Sequence, residues 1–192
     1  MPPSARPDTR FTYDDFLLFP EDGKRHEIID GEHYVTPSPN LRHQDLVGRL
    51  YLAIGNYLAQ HPGTGRAFLA PFDVVFSFYD VVEPDLLFVA GDQLEILTPQ
   101  NIQGAPALVV EILSKGTRKK DEQIKRRLFE RANVREYWLV DPELDLIKIY
   151  RRLTDGSFPR VAEITSEDDD ELTTPLLPAF SLPLSDLFAP SL

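Results

Sequence analysis

Between Ala107 and Pro142 the chain reads ALVVEILSKGTRKKDEQIKRRLFERANVREYWLVDP, and Glu111 is the residue in it that constrains the fold most. Ala107 to Leu113 is a nearly continuous apolar run rich in β-branched residues, the pattern of a strand covered on both faces. A carboxylate inside such a strand needs a cation, a metal or strong donors, because an unpaired charge out of water costs several kcal/mol or more. After the loop Ser114 to Thr117, residues Ile124, Leu128, Phe129 and Ala132 recur at helical spacing and predict a helix from Lys120 to Ala132. Glu136 to Val140 is a second buried strand, closed by Asp141-Pro142. Strand, crossover helix and strand make a right-handed unit with the helix packed across one sheet.

The crossover is basic: nine Lys or Arg lie between Lys115 and Arg135 against three acids. It reads as a solvated face for most of these residues, and more sharply as a cationic rim beside a buried acid. The whole chain is the opposite, with a formal charge of −11 and six carboxylates in the run Glu163 to Glu171. Such a balance argues against indiscriminate binding of nucleic acid, leaving a polyanion only a local place to bind. With 192 residues, 42% of them hydrophobic, a single well-buried domain is expected over 11–192, and the Pro-rich residues 1–10 read as disordered. There is no cysteine, hence no disulfide framework and no thiolate metal site. No apolar run reaches the roughly 18 to 20 residues of a membrane span, and residues 1–10 lack the core of a signal peptide. The expectation is a cytoplasmic protein with no membrane partner.

Along the chain, Thr12 with Asp15 marks the start of a short helix. Asp30-Gly31 between two alternating runs marks a β-hairpin over Arg25 to Thr36, in which Glu27 shares a face with Ile29. Leu46, Val47, Leu50, Tyr51, Ile54, Tyr57 and Leu58 give a helix from about Leu41 to Gln60, with His43 in its first turn. A histidine there is more often a capping residue than a ligand. Ala67 to Phe78 and Glu83 to Val89 are extended, and Asp85 is a second acid in an apolar strand, on the face of Leu87. Two acids on consecutive strands suit a hard divalent cation, which takes one or two carboxylates and leaves its other positions to water and phosphate.

Five motifs carry a family resemblance: HEIIDGE (26–32), SPN..H ending at His43, EPDLLFV (83–89), VVEILS followed by TR...D...K (109–125), and EYWLVDP (136–142). Over nearly its whole length the chain resembles the Uma2 family, formerly a domain of unknown function, within the PD-(D/E)XK nuclease superfamily. The resemblance implies an α/β (α+β) restriction-endonuclease-like fold, a central mixed β-sheet flanked by helices, here with an N-terminal β-hairpin. It implies a metal-dependent endonuclease hydrolysing phosphodiester bonds of DNA, using Mg²⁺ or Mn²⁺ held by Asp85, Glu111 and the backbone carbonyl of Ile112. The superfamily's lysine, two residues after the glutamate, is Leu113 in this chain. Lys125 matches a lysine that family members carry on the next helix, and Lys115 in the loop is a second candidate. At 100° per residue Lys125 borders the apolar stripe of Ile124 and Leu128, whereas Lys119 and Lys120 face water, and Lys125 reads as dispensable for folding. Glu27 and His43, matched to family motifs, are additional site candidates, while Tyr137 and Trp138 read as sheet core.

The competing reading is a catalytically degenerate nuclease-fold module acting in nucleic-acid or protein binding, favoured by the acidity and by Leu113. A carboxylate-metal hydrolase acting on another substrate is a third. DNA is the expected partner, with a homodimer left open.

Overall fold

The computed structural model describes residues 10–168 and 170–190, so the N-terminal run read as disordered lies outside the described residues except for Arg10. α1 (Tyr13–Phe16) is a single turn closed reciprocally, the Asp15 N–H donating to Thr12 Oγ1 at 3.3 Å and the Thr12 N–H to Asp15 Oδ2 at 2.8 Å. β1 (Arg25–Ile29) and β2 (Glu32–Thr36) form the hairpin. Its turn residues Asp30 and Gly31 have φ of 54° and 77°, the left-handed pair a two-residue connection requires. α2 (Leu41–Gln60) has the expected extent and is capped by Asn40, whose side chain accepts the His43 N–H at 2.9 Å.

β3 (Gly65–Leu69), β4 (Val74–Ser77), β5 (Asp80–Val82), β6 (Leu86–Ala90), β7 (Ile102–Gln103) and β8 (Leu108–Ile112) follow. The crossover is not the uniform α-helix that its spacing predicts. Lys120–Lys125 is π-helical and passes into α3 (Arg126–Arg131). Its wider i→i+5 winding breaks the 100° rule, so angular positions inferred from an ideal helix fail there. The chain ends with β9 (Glu136–Asp141), β10 (Leu146–Arg151), β11 (Arg160–Thr165), β12 (Glu171–Thr173), β13 (Ser181–Pro183) and α4 (Leu184–Leu187).

The central sheet has six strands in the order β11-β10-β9-β8-β6-β3. β8 and β9 pair in parallel across the crossover and the other neighbours are antiparallel, so the sheet is mixed. Every residue of β8 and β9 is buried, as expected for strands covered on both faces. On one face, Leu46, Leu50 and Ile54 of α2 pack on Phe88, Val110, Trp138 and Val140, joined by Leu177, Phe180 and Leu187 from the C-terminal segment. On the other, Leu128 and Phe129 of α3 cover Val109, Tyr137 and Leu139. A second sheet, of order β2-β1-β5-β4-β7, brings Ile29, Val74, Val82 and Ile102 against that same layer. The sequence yields the hairpin of this sheet and the extended stretch that contains β4, but not β5 or β7, which are too short to carry a period. Among the described residues no helix is long and apolar enough to cross a membrane.

Candidate active site

β6 and β8 pair antiparallel with Leu86 opposite Val110 and Leu87 opposite Val109, so the register carried one residue further sets Asp85 opposite Glu111. Asp85 shares the face of Leu87, and Glu111 that of Val109 and Leu113, so both acids lie on the α3 side of the sheet. They are 4% and 3% exposed. Asp85 Oδ1 accepts from Arg25 at 2.6 Å, while Oδ2 accepts the Ile112 N–H at 2.8 Å and lies 3.1 Å from His43 Nε2.

Glu111 Oε1 accepts from Lys125 Nζ at 2.6 Å, and the same ammonium is 2.6 Å from Glu27 Oε1 and 3.8 Å from Asp121 Oδ1. Lys120 approaches from the π-helical stretch, its Nζ 2.6 Å from Glu27 Oε2 and 2.7 Å from Thr36 Oγ1. The hairpin is thereby tied to the crossover through Glu27, and the sheet to the hairpin through Arg25.

The structure brings Asp85, Glu111, Ile112, Lys125, Glu27 and His43 into one cluster, all of them among the buried residues. Lys115 is elsewhere: its side chain is 89% exposed and 3.6 Å from Glu143, since nothing in its loop turns it inward. Lys120, read as facing water, is instead in the cluster, because the π winding changes its direction and the buried Glu27 needs a partner. Lys125 is 2% exposed and holds two carboxylates, so it is part of the fold's support and not dispensable. Tyr137 and Trp138 are fully buried in the sheet. Asp121, the residue four before Lys125 expected to steer its ammonium, belongs to the cluster, and so do Arg25 and Thr36, which the sequence does not mark. The signal that could have found Arg25 is the alternation that places it on the face of Glu27 and Ile29.

Much of the cationic rim is paired with the fold's own acids. Arg118 pairs with Asp141 at 2.5 Å, Arg131 with Asp80 at 2.6 Å, Arg135 with Asp92 at 2.9 Å and Arg126 with Glu130 at 3.2 Å.

Burial pushes the Asp85 carboxyl up, yet His43, Arg25 and the Ile112 N–H together hold it down at about 2. Burial likewise pushes Glu27 up and the ammoniums of Lys125 and Lys120 more than offset it, holding it at about 2. Glu111 goes the other way: burial raises it, Lys125 opposes, and Asp85, Asp121 and Glu27 raise it further. Lys125 is also raised, since Glu111, Glu27 and Asp121 outweigh its burial. Both partners of the pair therefore favour keeping a proton, which is the electrostatic signature of a cluster with a surplus of carboxylates. Asp121, pushed up to about 6 chiefly by burial, has Oδ1 buried with no hydrogen-bond partner.

These properties fit a hard divalent cation: the donors are carboxylate oxygens, the surplus charge is negative, and a cleft of about 160 Å³ lined by Asp85, Glu111, Ile112 and Lys125 opens at the cluster. Among the described residues no three His, Cys, Asp or Glu side chains are grouped to hold a metal, so a cation would rest on two carboxylates with a backbone oxygen. A larger cavity of about 530 Å³ adjoins the cleft, sharing Arg25, His43 and Asp85 with it.

No curated protein matches this chain. Among solved structures it resembles a crystal structure described as a putative nuclease belonging to DUF820 from Anabaena variabilis, with 22% identity, 93% of this chain and 98% of that one covered, and a TM-score of 0.77. At that identity the likeness shows the fold, and it supports the mixed α+β architecture. The model of the Uma2 family, described as "Putative restriction endonuclease", matches residues 13–185. The match spans the hairpin, both acid-bearing strands and the crossover, and the chain belongs to the Uma2 family.

Proposed function

We propose that the protein is a metal-dependent nuclease that hydrolyses phosphodiester bonds of DNA. The observation that carries this reading is the juxtaposition of Asp85 and Glu111 on one face of adjacent strands, with Lys125 Nζ 2.6 Å from Glu111. The family's description as restriction endonucleases supports the reaction class and a nucleic-acid substrate.

Asp85, Glu111 and the carbonyl of Ile112 would hold Mg²⁺ or Mn²⁺. When bound, such an ion supplies Lewis acidity, activating water and neutralising charge on the phosphoryl oxygens. The rest falls to the chain itself. Arg25 and the Ile112 N–H fix the Asp85 carboxylate from two directions, so its orientation is set before substrate arrives. Lys125 is held cationic beside Glu111, where it stabilises charge developing on the phosphorane oxygens and orients the attacking water. One P–O bond forms to that water, one P–O ester bond breaks, and the water's proton ends on the departing alkoxide. Glu27 is a positioning residue, keeping Lys125 and Lys120 in place.

One observation favours the second reading, a module that binds without cleaving: both oxygens of Asp85 already accept from protein donors, and Lys125 is locked between two carboxylates. Incubation with single- and double-stranded DNA in Mg²⁺ or Mn²⁺ separates the two. Cleavage by wild type that is lost in Glu111→Gln supports the nuclease, and binding of DNA without cleavage in either metal supports the module.

A further inference from the structure

We propose that the 530 Å³ cavity is a nucleobase subsite, taking one unstacked base next to the scissile phosphate, and that Glu83 reads this base by accepting a hydrogen bond from its exocyclic amino group. The inference rests on the nuclease reading above and names how its substrate is held.

The cavity and the acid cleft share the walls made by Arg25, His43 and Asp85, so whatever part of a substrate continues from the cluster enters it. Its walls beyond the shared ones are mixed, with Val47, Leu69, Ala70 and Pro71 on the apolar side and Lys24, Gln44 and Glu83 on the polar side. The apolar stretch of Val47, Leu69, Ala70 and Pro71 suits the face of a base, and the Glu83 carboxyl disfavours a phosphate at that end.

Glu83 supplies the polar end. It is 8% exposed and lines the cavity, yet among the described residues its carboxylate makes no hydrogen bond or ion pair. Its backbone is fixed on both sides: the N–H donates to Glu27 Oε1 at 3.2 Å and the carbonyl accepts from Arg25 at 3.3 Å. Two residues of the cluster thus set where this carboxyl stands relative to Asp85. An acceptor at a cavity wall with no protein partner is left to water or to a ligand that displaces it. Carboxylates accept from the amino groups of cytosine and adenine, whereas thymine presents an acceptor at the matching place. A base reaches such a cavity only when it leaves the stack, which requires a single strand or a flipped nucleotide.

The test uses single-stranded 12-mers of deoxycytidine, deoxyadenosine or thymidine, and one carrying a central 2-aminopurine, titrated at pH 9, where Glu83 is a carboxylate, into the full chain with Ca²⁺ in place of Mg²⁺. Binding should raise the 2-aminopurine fluorescence, and wild type should prefer the cytosine and adenine strands to the thymine strand by about tenfold or more. Glu83→Gln should shrink that preference to within about twofold. Gln44→Trp, at an exposed position of α2 on the cavity wall, should abolish the fluorescence rise while the protein stays folded. Binding without a fluorescence rise, or a base preference equal in wild type and Glu83→Gln, overturns the subsite and leaves Mg²⁺-dependent cleavage to stand by itself. Absence of both DNA binding and cleavage overturns the subsite together with the nuclease reading.

Discussion

The Glu27 carboxylate of the hairpin lies 2.6 Å from the Lys125 ammonium of the crossover, and both groups are almost wholly buried. This contact joins the second sheet to the catalytic candidates. Removing Glu27 leaves Lys120 with Thr36 as its remaining partner and Lys125 with Glu111, and breaking a buried pair by removing one partner typically costs 3–5 kcal/mol.

Glu27→Gln should therefore lower stability at pH 7 by about 3 kcal/mol or more. The pH dependence has a definite sign. Glu27 is held at about 2, below the ordinary glutamate value of 4.5, so its contribution is fully present above pH 4.5 and is lost as pH falls through 2. Urea denaturation at pH 7 and pH 3 should show the gap between wild type and Glu27→Gln narrowing at the lower pH. A gap that widened would contradict the ion-pair account.

Lys125→Met should cut Mg²⁺-dependent cleavage by about a hundredfold or more, in the range of losing one charge-stabilising group. Because Lys125 also neutralises buried acids, stability should fall too, so activity must be read on protein shown to be folded by circular dichroism. Lys115→Ala is the control: its ammonium is exposed and touches only Glu143, and cleavage should stay within about twofold of wild type.

Mg²⁺ or Mn²⁺ should raise the melting temperature of wild type, since a cation bound only by the native state adds RT ln(1 + [L]/Kd), about 2.7 kcal/mol at a hundredfold excess over Kd. Glu111→Gln should lose that response. Equal shifts in the two proteins, measured by calorimetry across a metal titration, would place the cation elsewhere.

Lys120→Ala should destabilise the protein by more than Lys119→Ala, which is exposed. Lys120 bridges Glu27 and Thr36 at 2.6 and 2.7 Å, tying the hairpin to the π-helical stretch. Thermal unfolding of the two variants side by side checks this, and equal melting temperatures would mean the bridge contributes nothing.

The hairpin around Asp30-Gly31, the extent of α2 and the buried pair of strands flanking the crossover are legible in the chain alone. These rest on turn chemistry and hydrophobic period, which neighbouring residues encode. The sequence also exposes Asp85 and Glu111 as anomalies, because a charge inside an apolar strand is visible without knowing its partner. The partners of these charges are set by packing. Arg25 reaches Asp85, Lys120 reaches Glu27, and Lys125 bridges two strands of different sheets, all across long stretches of chain. An ion pair depends on a separation of a few ångströms through space and on the burial of both ends, and no local period records either quantity. The π winding of Lys120–Lys125 belongs to the same class, since an ideal-helix projection turned Lys120 toward water while the packed fold turns it onto Glu27.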